Sequence, residues 1–573
     1  MGYIQGSIRE QIVMFPESID EYISEENAVR VFEAFVETLD MEALGFVRSK
    51  PAIEGRPGYN PRDMLKLYIY GYFNKIRSSR NLEKETKRNV EVMWLIKKLT
   101  PDFRSISDFR KDNRLQLKEA FKEFNKLCNE LELFSKEYES IDGSKFKASN
   151  SKDRNFTLNK LDDRLKRLEK NIEEYMSIIE KVDEEESEKE REFTKEEIKE
   201  IEEKLEKLKK RKTEYEGYRE ELETTGESQK SVTDPESRLM KMHEGYGVCF
   251  NVQTAVDAES HLISGFEVTN KGTDYGQIEE LSEEIRKDFG MKTIEIVADK
   301  GYEDSEDMMN CIEKGIIPNV ILGSDKKEIK LETEYEECEI SEEMKSSTKP
   351  EDIKKCIRAG EKPGIYEGKI VEIKVVEKSK YEGKKEEVEV IEKRTEEEMK
   401  LRAEEGNFVR DIEKNIVYCP EGEMLRQKSK KKNGQTRYCN KEGCRRCKNK
   451  CTKSKFKEVD FGKNQIEAKC KTVKRMKATE VATEEQKVKK AKKKKIKYKQ
   501  IEIIFRPDPK KMENRKNLSE HPFGTVKRVL DGGYFLVRGK EKVTGEIALL
   551  FLSYNMKRAI NMVGIKKLIE QMV

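Results

Sequence analysis

At 573 residues, with 35% hydrophobic and 40% charged residues, the chain is too long for one ordinary core and must carry much solvated helix or linker. Its 117 basic and 114 acidic residues nearly cancel, leaving a net charge of +3, so overall charge names no partner. No run of about 18 apolar residues exists and residues 1–15 lack a signal-peptide pattern. A soluble, intracellular protein is therefore expected, cytoplasmic rather than membrane-spanning or secreted.

Residues 1–135 read as helical. Asn60-Pro61 is a cap followed by proline at the first helical position, and Met64, Leu65, Leu67, Tyr68 and Tyr72 recur at helical spacing. Ser107 is the expected cap of a helix carrying Phe109 and Arg110. The bland expectation for this segment is a packing bundle; the functional one is a helix-turn-helix DNA reader offering Arg77, Arg80, Lys84, Lys87, Arg88, Arg104 and Arg110 to phosphates.

Asp142, in SIDGSKFKA, follows an apolar strand residue within residues 136–157. Residues 158–230 are a different object: Leu161, Leu165, Leu168, Ile172, Tyr175 and Ile179 alternate steps of four and three, as do Ile198, Ile201, Leu205 and Leu208. Thr194 with Glu197 makes a capping box for the second helix. The pattern predicts an antiparallel coiled-coil hairpin, either a solvated strut or a dimerisation or DNA-end clamp.

Residues 231–324 alternate strands and helices, with a strand at Ile294–Val297 ending next to Asp299. This order predicts an α/β core with a mixed sheet. Residues 325–500 form an insertion, with an exposed hairpin expected at 369–376 and 386–392, then a cysteine cluster, then a lysine-rich tract. Residues 501–573 return to helix around Glu520.

Two acids at strand ends invite a third, and Glu520 is the candidate. Carboxylates brought together repel unless a cation compensates, and Mg²⁺ or Mn²⁺ suits such oxygens. Two such ions can activate a water or a 3′-hydroxyl on one side of a phosphodiester and stabilise the leaving oxygen on the other. Lys527, seven residues after Glu520, shares its face if one helix spans both, and would meet DNA phosphate. Pro522 and Gly524 weigh against that helix.

Of the eleven cysteines, Cys419, Cys439, Cys444, Cys447 and Cys451 cluster. Cys439, Cys444, Cys447 and Cys451 suit tetrahedral Zn²⁺, with Cys419 an alternative ligand, and spacing does not decide which four. The surrounding basic residues, Arg445 and Arg446 among them, predict a phosphate-binding surface; the bland alternative is a stapled insertion. Three scattered histidines make no cluster, and neither a Walker loop nor a dinucleotide glycine fingerprint is present.

Taken together, Gly55–Leu95, SIDGSKFKA, residues 233–257, VADKGYED, the cysteine cluster, EHPFGTVKR and LSYNMKRAIN resemble bacterial insertion-sequence transposases of the DDE superfamily, those with a helical N-terminal domain and a ribonuclease H-like core. The resemblance covers most of the chain. It implies a Mg²⁺-dependent DNA transposase that binds terminal inverted repeats, cuts at the element's ends and joins 3′-hydroxyls to target DNA, as a homodimer on double-stranded DNA in the nucleoid. By motif position Asp142, Asp299 and Glu520 are its catalytic acids, with Lys527 and Arg528 downstream on DNA. The arginine usually found four residues before the glutamate is here Lys516, with Arg515 one further back. Six segments are expected: a helical DNA-binding domain (1–135), a first core strand (136–157), the hairpin (158–230), the core (231–324), the zinc-knuckle and basic insertion (325–500) and the glutamate helix (501–573), the hairpin and lysine tract being lineage-specific additions. The competing expectations are an inactive element-derived DNA-binding protein, a ribonuclease H-like nuclease without strand transfer, and a coiled-coil scaffold.

Overall fold

A computed structural model describes residues 18–50, 57–184, 195–242, 245–323, 326–382, 399–469 with short gaps, and 494–572. The chain packs as two units, residues 1–377 with 499–573, and residues 378–498. The autonomous insertion is thus shorter than 325–500. Strand β9 (Ile329–Glu334) and helix α12 (Pro350–Arg358) bury Leu331, Ile353 and Ile357 in the main unit's core, which holds them there.

The main unit begins with six helices, α1 (Ala28–Thr38), α2 (Pro61–Phe73), α3 (Ser79–Arg88), α4 (Val90–Leu95), α5 (Phe103–Asp112) and α6 (Gln116–Glu130). Asn60 caps α2 by accepting the Arg62 N–H, and Pro61 opens it, as the sequence predicts. Helix α5 starts earlier than expected. Asp102 accepts the N–H groups of Arg104 and Ser105, so Ser107 lies inside the helix.

A mixed sheet follows, built from β1 (Glu139–Lys147), β4 (Arg238–Met242), β5 (Gly245–Asp257), β6 (Ile263–Thr269), β7 (Ile294–Ala298) and β8 (Ile316–Val320), in the order β4-β5-β1-β7-β8. Strand β5 runs antiparallel to β1, and β6 and β4 lie along its other edge, also antiparallel. Strands β1, β7 and β8 are parallel. This order and direction are compatible with a ribonuclease H-like core.

Alternation along the strands sends residues to two faces. Phe146, Phe250, Val252 and Phe266 join the N-terminal helices and the long helix α15 (Lys540–Val563) in one core, so those helices do not stand apart from the sheet. Ile141, Ala255 and Ile296 face the other way, onto α9 (Glu279–Asp288) and α10 (Ser305–Glu313). Strand β17 (Lys494–Phe505) lies between β9 and β10 (Ile370–Glu382), so the segment expected as an exposed hairpin is paired into a three-stranded sheet. Its expected second strand, 386–392, lies outside the described residues.

Between β2 (Asn155–Phe156) and β3 (Lys230–Ser231), helices α7 (Leu158–Glu184) and α8 (Lys195–Thr225) pair. Lys212 meets Glu169 at 3.0 Å and Arg219 meets Asp162 at 3.3 Å, an inverse register that makes the hairpin antiparallel. Leu161, Leu165, Leu168, Leu205 and Leu222 are buried. The Thr194 capping box lies outside the described residues.

The smaller unit is an antiparallel sheet of β11 (Asn407–Asp411), β12 (Ile416–Tyr418), β13 (Met424–Lys430), β14 (Thr436–Cys439), β15 (Glu458–Phe461) and β16 (Glu467–Lys469). Its core comprises Phe408, Val417, Leu425, Tyr438 and Phe461. Among the described residues no helix is long and apolar enough to cross a membrane.

Candidate active site

The parallel register of β1 and β7 pairs Glu139 with Ile296 and Ser140 with Val297. Carried two residues on, it sets Asp142 beside Asp299 at the end of β7. Asp142 accepts the N–H of Gly143 at 2.9 Å, and Asp299 accepts that of Gly301 at 2.8 Å, capping the short turn Lys300–Tyr302. Two acids 157 positions apart in the chain therefore share one sheet edge, because the strands that carry them are hydrogen-bonded neighbours.

Helix α14 (Pro509–Gly524) crosses this edge. Asp508 caps it and Pro509 opens it, so it starts ten residues before the Ser519 start considered from sequence. It passes through Pro522 and continues as a π-helical turn over Thr525–Val529, which relieves the helix where the proline supplies no N–H. Leu518 is buried with Tyr138 and Val297, Lys511 pairs with Glu295 at 2.8 Å, and the Phe523 ring lies against Phe146. These contacts set the helix's rotation and aim Arg515 at the acids.

One guanidinium nitrogen of Arg515 stands 3.4 Å from the Asp142 carboxylate and 3.7 Å from that of Asp299. It occupies the electrostatic seat between them, where a cation neutralises paired carboxylates. Glu520 lies five residues further along α14, about 140° around the helix from Arg515, and its side chain is exposed. The structure thus brings Asp142, Asp299 and Arg515 together and puts Glu520 on the same helix but turned away from them. Among the described residues no group of three or more His, Cys, Asp or Glu side chains is gathered to hold a metal ion. The Lys516 side chain lies outside the described ones, and Arg528 is exposed.

Lys527 does not share Glu520's exposed face, because the π turn breaks the helical phase between them. It turns to β1 instead, donating to Ser144 Oγ at 2.5 Å and to the Lys145 carbonyl at 2.9 Å, with its ammonium 4.5 Å from the Phe146 ring centroid. Burial lowers its pKa to about 8, from 10.5. Between those two values the unfolded chain holds more protons than the folded one, so the penalty is full below about 8 and is relieved as pH rises. The wild-type chain is therefore expected to gain stability on a Lys527→Met variant between pH 8 and 10.5, read from paired urea midpoints; a constant difference contradicts the assignment.

Sequence reasoning missed Asp274, in the glycine-containing loop after β6. Its Oδ1 accepts from Asn251 Nδ2 and Gln253 Nε2, both at 2.7 Å, and from Lys145 Nζ at 3.2 Å. Gln253 in turn accepts the hydroxyl of buried Tyr302, in the turn capped by Asp299. By alternation Gly143, Lys145, Asn251 and Gln253 face away from Asp142, so Asp274 braces the site from the opposite side of the sheet. A Cβ at Gly143 would come within 2.3 Å of Asp274 Oδ1, which is why glycine follows Asp142. Asp274→Ala leaves two buried amide donors and a lysine without their acceptor and is expected to cost about 1–3 kcal/mol in urea unfolding. Asp274→Asn, which keeps an acceptor oxygen, is expected to cost less.

Arg77 and Arg110, offered by sequence as phosphate contacts, are instead buried. Arg77 pairs with Glu546 at 2.6 Å and Arg110 donates to the Tyr72 hydroxyl at 2.9 Å. Arg80 and Arg104 sit over the Phe103 ring, at 5.2 and 5.8 Å, beside an open cleft of about 460 Å³ that Ser78, Ser79 and Ser107 also line.

In the smaller unit none of the described cysteines forms a disulfide. Cys419, Cys444, Cys447 and Cys451 line one small cavity, whereas Cys439 does not. Arg445 and Arg446, on α13 (Lys441–Arg446), are exposed.

Two family models match the chain. One, described as a Transposase domain (DUF772), covers residues 17–112, and the other, a Transposase DDE domain, covers residues 222–556, more than half of the chain. The chain is therefore a DNA transposase by class. It belongs to the DDE transposase family. Asp299 and Glu520 fall inside the matched DDE region, and Asp142 precedes it. No curated protein and no solved structure matches the chain significantly.

Proposed function

We propose that the chain binds the terminal inverted repeats of an insertion sequence, cleaves DNA at the element's ends and joins the freed 3′-hydroxyls to target DNA, using Asp142, Asp299 and Glu520 as its catalytic acids. The observation that carries this reading is the pairing of Asp142 and Asp299 on adjacent parallel strands with one guanidinium between them. The strand arrangement, β1, β5 and β6 antiparallel with β4 added along β5, then β7 and β8 parallel to β1, supports a ribonuclease H-like core.

The donor set fits hard divalent cations, Mg²⁺ or Mn²⁺: carboxylate oxygens from two acids, of whose charge Arg515 offsets only part. Bound there, such cations supply charge neutralisation on the phosphodiester and a nucleophilic oxygen at neutral pH. Asp142 and Asp299 would hold them, and Arg515 would be available to meet the negatively charged phosphate. Glu520 is assigned as the third acid by its motif position on the same helix as Arg515. Lys527 anchors that helix's π turn to β1. Asp274 keeps β1, β5 and the Asp299 turn in register.

DNA is read as engaging the Arg80–Arg104 cleft of the N-terminal helices, Arg528, and the basic smaller unit, with Arg445 and Arg446 on phosphate and Zn²⁺ stapling the fold. Two DNA ends are handled together, which calls for a homodimer on DNA.

The test is incubation of the purified chain and Mg²⁺ with DNA carrying the element's own ends and a target plasmid. End cleavage with joined products is expected. Cleavage without joining favours a nuclease of the same fold, and binding without cleavage an inactive DNA-binding protein. Repeating the assay with Glu520→Ala tests the third acid, where unchanged cleavage removes Glu520 from the site.

A further inference from the structure

The cysteines of the smaller unit do not all belong together. Cys419 sits in the turn between β12 and β13, where its N–H donates to the Glu423 carbonyl and its carbonyl accepts the Gly422 N–H, both at 2.9 Å. Gly422 has a φ of +76°, which the tight turn requires and which glycine adopts without strain. The turn directs the N–H groups of Glu421 and Glu423 at the Cys419 sulfur. Burial is the larger influence and pushes the Cys419 thiol up, with these two donors opposing it.

The second half of the cluster is tied to this turn. Asn440 caps α13 by accepting the Gly443 N–H at 2.8 Å, while its own amide donates to the Met424 carbonyl at 3.0 Å. This puts Cys444 and Cys447 across from Cys419, with Cys451 packed against the same small core. A Cβ at Gly443 would lie 2.6 Å from both Asn440 Nδ2 and Glu423 Oε2, so the two halves are in close contact. The cavity that the four cysteines line holds about 20 Å³, the room of one water or one small ion.

Cys439 is placed differently. It ends β14, opposite Glu458 on β15 and Arg426 on β13. Its neighbour Tyr438 is fully buried in the core that includes Cys419, and strand alternation therefore turns Cys439 to the other face.

We propose that Cys419, Cys444, Cys447 and Cys451 together bind one structural Zn²⁺, and that Cys439 takes no part. This ligand set rests on the zinc reading of the smaller unit given above. Four thiolates around one ion suit tetrahedral Zn²⁺, and a closed site of this kind is structural rather than catalytic. The thiols line the cavity without closing to ligating distance of one another among the described residues. The metal-bound chain links the β12–β13 turn to α13 and to Cys451.

The experiment is the zinc content of the full-length chain, purified from zinc-supplemented cells and measured by inductively coupled plasma mass spectrometry, for wild type and five single cysteine-to-serine variants. Wild type and Cys439→Ser are expected to carry one zinc per chain. Cys419→Ser is expected to fall below about a tenth of that, as are the variants at 444, 447 and 451. Replacement of zinc by Co²⁺ in wild type gives an independent readout that needs no variant to fold: strong sulfur-to-cobalt charge-transfer absorption of four thiolates, unchanged in Cys439→Ser. Zinc retained in Cys419→Ser but lost in Cys439→Ser overturns the ligand set while leaving the zinc reading intact. Wild-type chain without zinc and without cobalt–thiolate absorption overturns both. Neither readout involves DNA cleavage, so the transposase reading stands or falls separately.

Discussion

Asp142→Asn and Asp299→Asn each lower metal-dependent cleavage of end-bearing DNA by about a hundred- to a thousandfold or more, with binding to the same DNA retained. The expected loss is large because the two carboxylates act as one unit. They sit side by side on hydrogen-bonded parallel strands, and a single Arg515 nitrogen reaches both. Removing either charge leaves one carboxylate to hold a divalent cation, and that carboxylate is already paired one-to-one with Arg515. Because asparagine keeps the size and one acceptor oxygen, the strands and the Asp299 cap persist. Loss of activity with an unchanged urea midpoint therefore separates chemistry from folding. The measurement is a single-turnover cleavage assay with a gel-shift control on the same DNA.

Arg77→Met is the substitution expected to cost most stability, about 3–5 kcal/mol. Arg77 and Glu546 are almost completely buried, 3% and 0% exposed along their side chains, and meet at 2.6 Å. The same guanidinium donates to the carbonyls of Asp531 and Tyr534, and Glu546 accepts the N–H groups of Leu536 and Val537 at 3.0 and 3.3 Å. The pair therefore ties the loop after α2 to the segment that returns from the active-site helix, 454 to 469 positions away in the chain. Methionine removes the cation and strands a buried carboxylate. Glu546→Gln, which keeps an acceptor for the two backbone donors, is expected to lose less. Equilibrium urea unfolding of both variants checks this, and a loss under about 1 kcal/mol for Arg77→Met contradicts it.

Sequence patterning carried the fold where periodicity is local. Asn60-Pro61, the alternating strand at 248–254 and the apolar strand ending before Asp299 each became the predicted element, because cap, alternation and strand end are set by a few neighbouring residues. What was not legible depends on register between distant segments. Arg515 was visible only as an arginine one place off an expected position. Its aim at both acids comes from Leu518, Lys511 and Phe523 fixing the rotation of α14, which no spacing within that helix reveals.

Asp274 gave no signal at all, since its loop has no period and its three donors come from β1 and β5. Lys527 points inward for a local reason: Pro522 and Gly524 interrupt α-helical phase, and the chain answers with a π turn that aims the lysine at β1. Spacing alone leaves Cys419 an alternative to Cys439, and it is the Cys-Pro-Glu-Gly turn that sets Cys419 at the cavity, which Cys439 does not line. Basic residues among the N-terminal helices also divide by burial rather than by sequence. Arg77 and Arg110 hold the fold, and Arg80 and Arg104 face the cleft.

That Asp142 and Asp299 jointly grip the cation that cuts DNA is tested most directly by exchanging the ligand atom. Asp299→Cys replaces a hard oxygen by a soft sulfur, which accepts Mn²⁺ far better than Mg²⁺. Cleavage of end-bearing DNA by this variant is expected to be lost in Mg²⁺ and substantially regained in Mn²⁺, with the wild-type chain active in both. Full activity of Asp299→Cys in Mg²⁺, or the same failure in both metals alongside an intact fold, would contradict the metal-holding role of this pair.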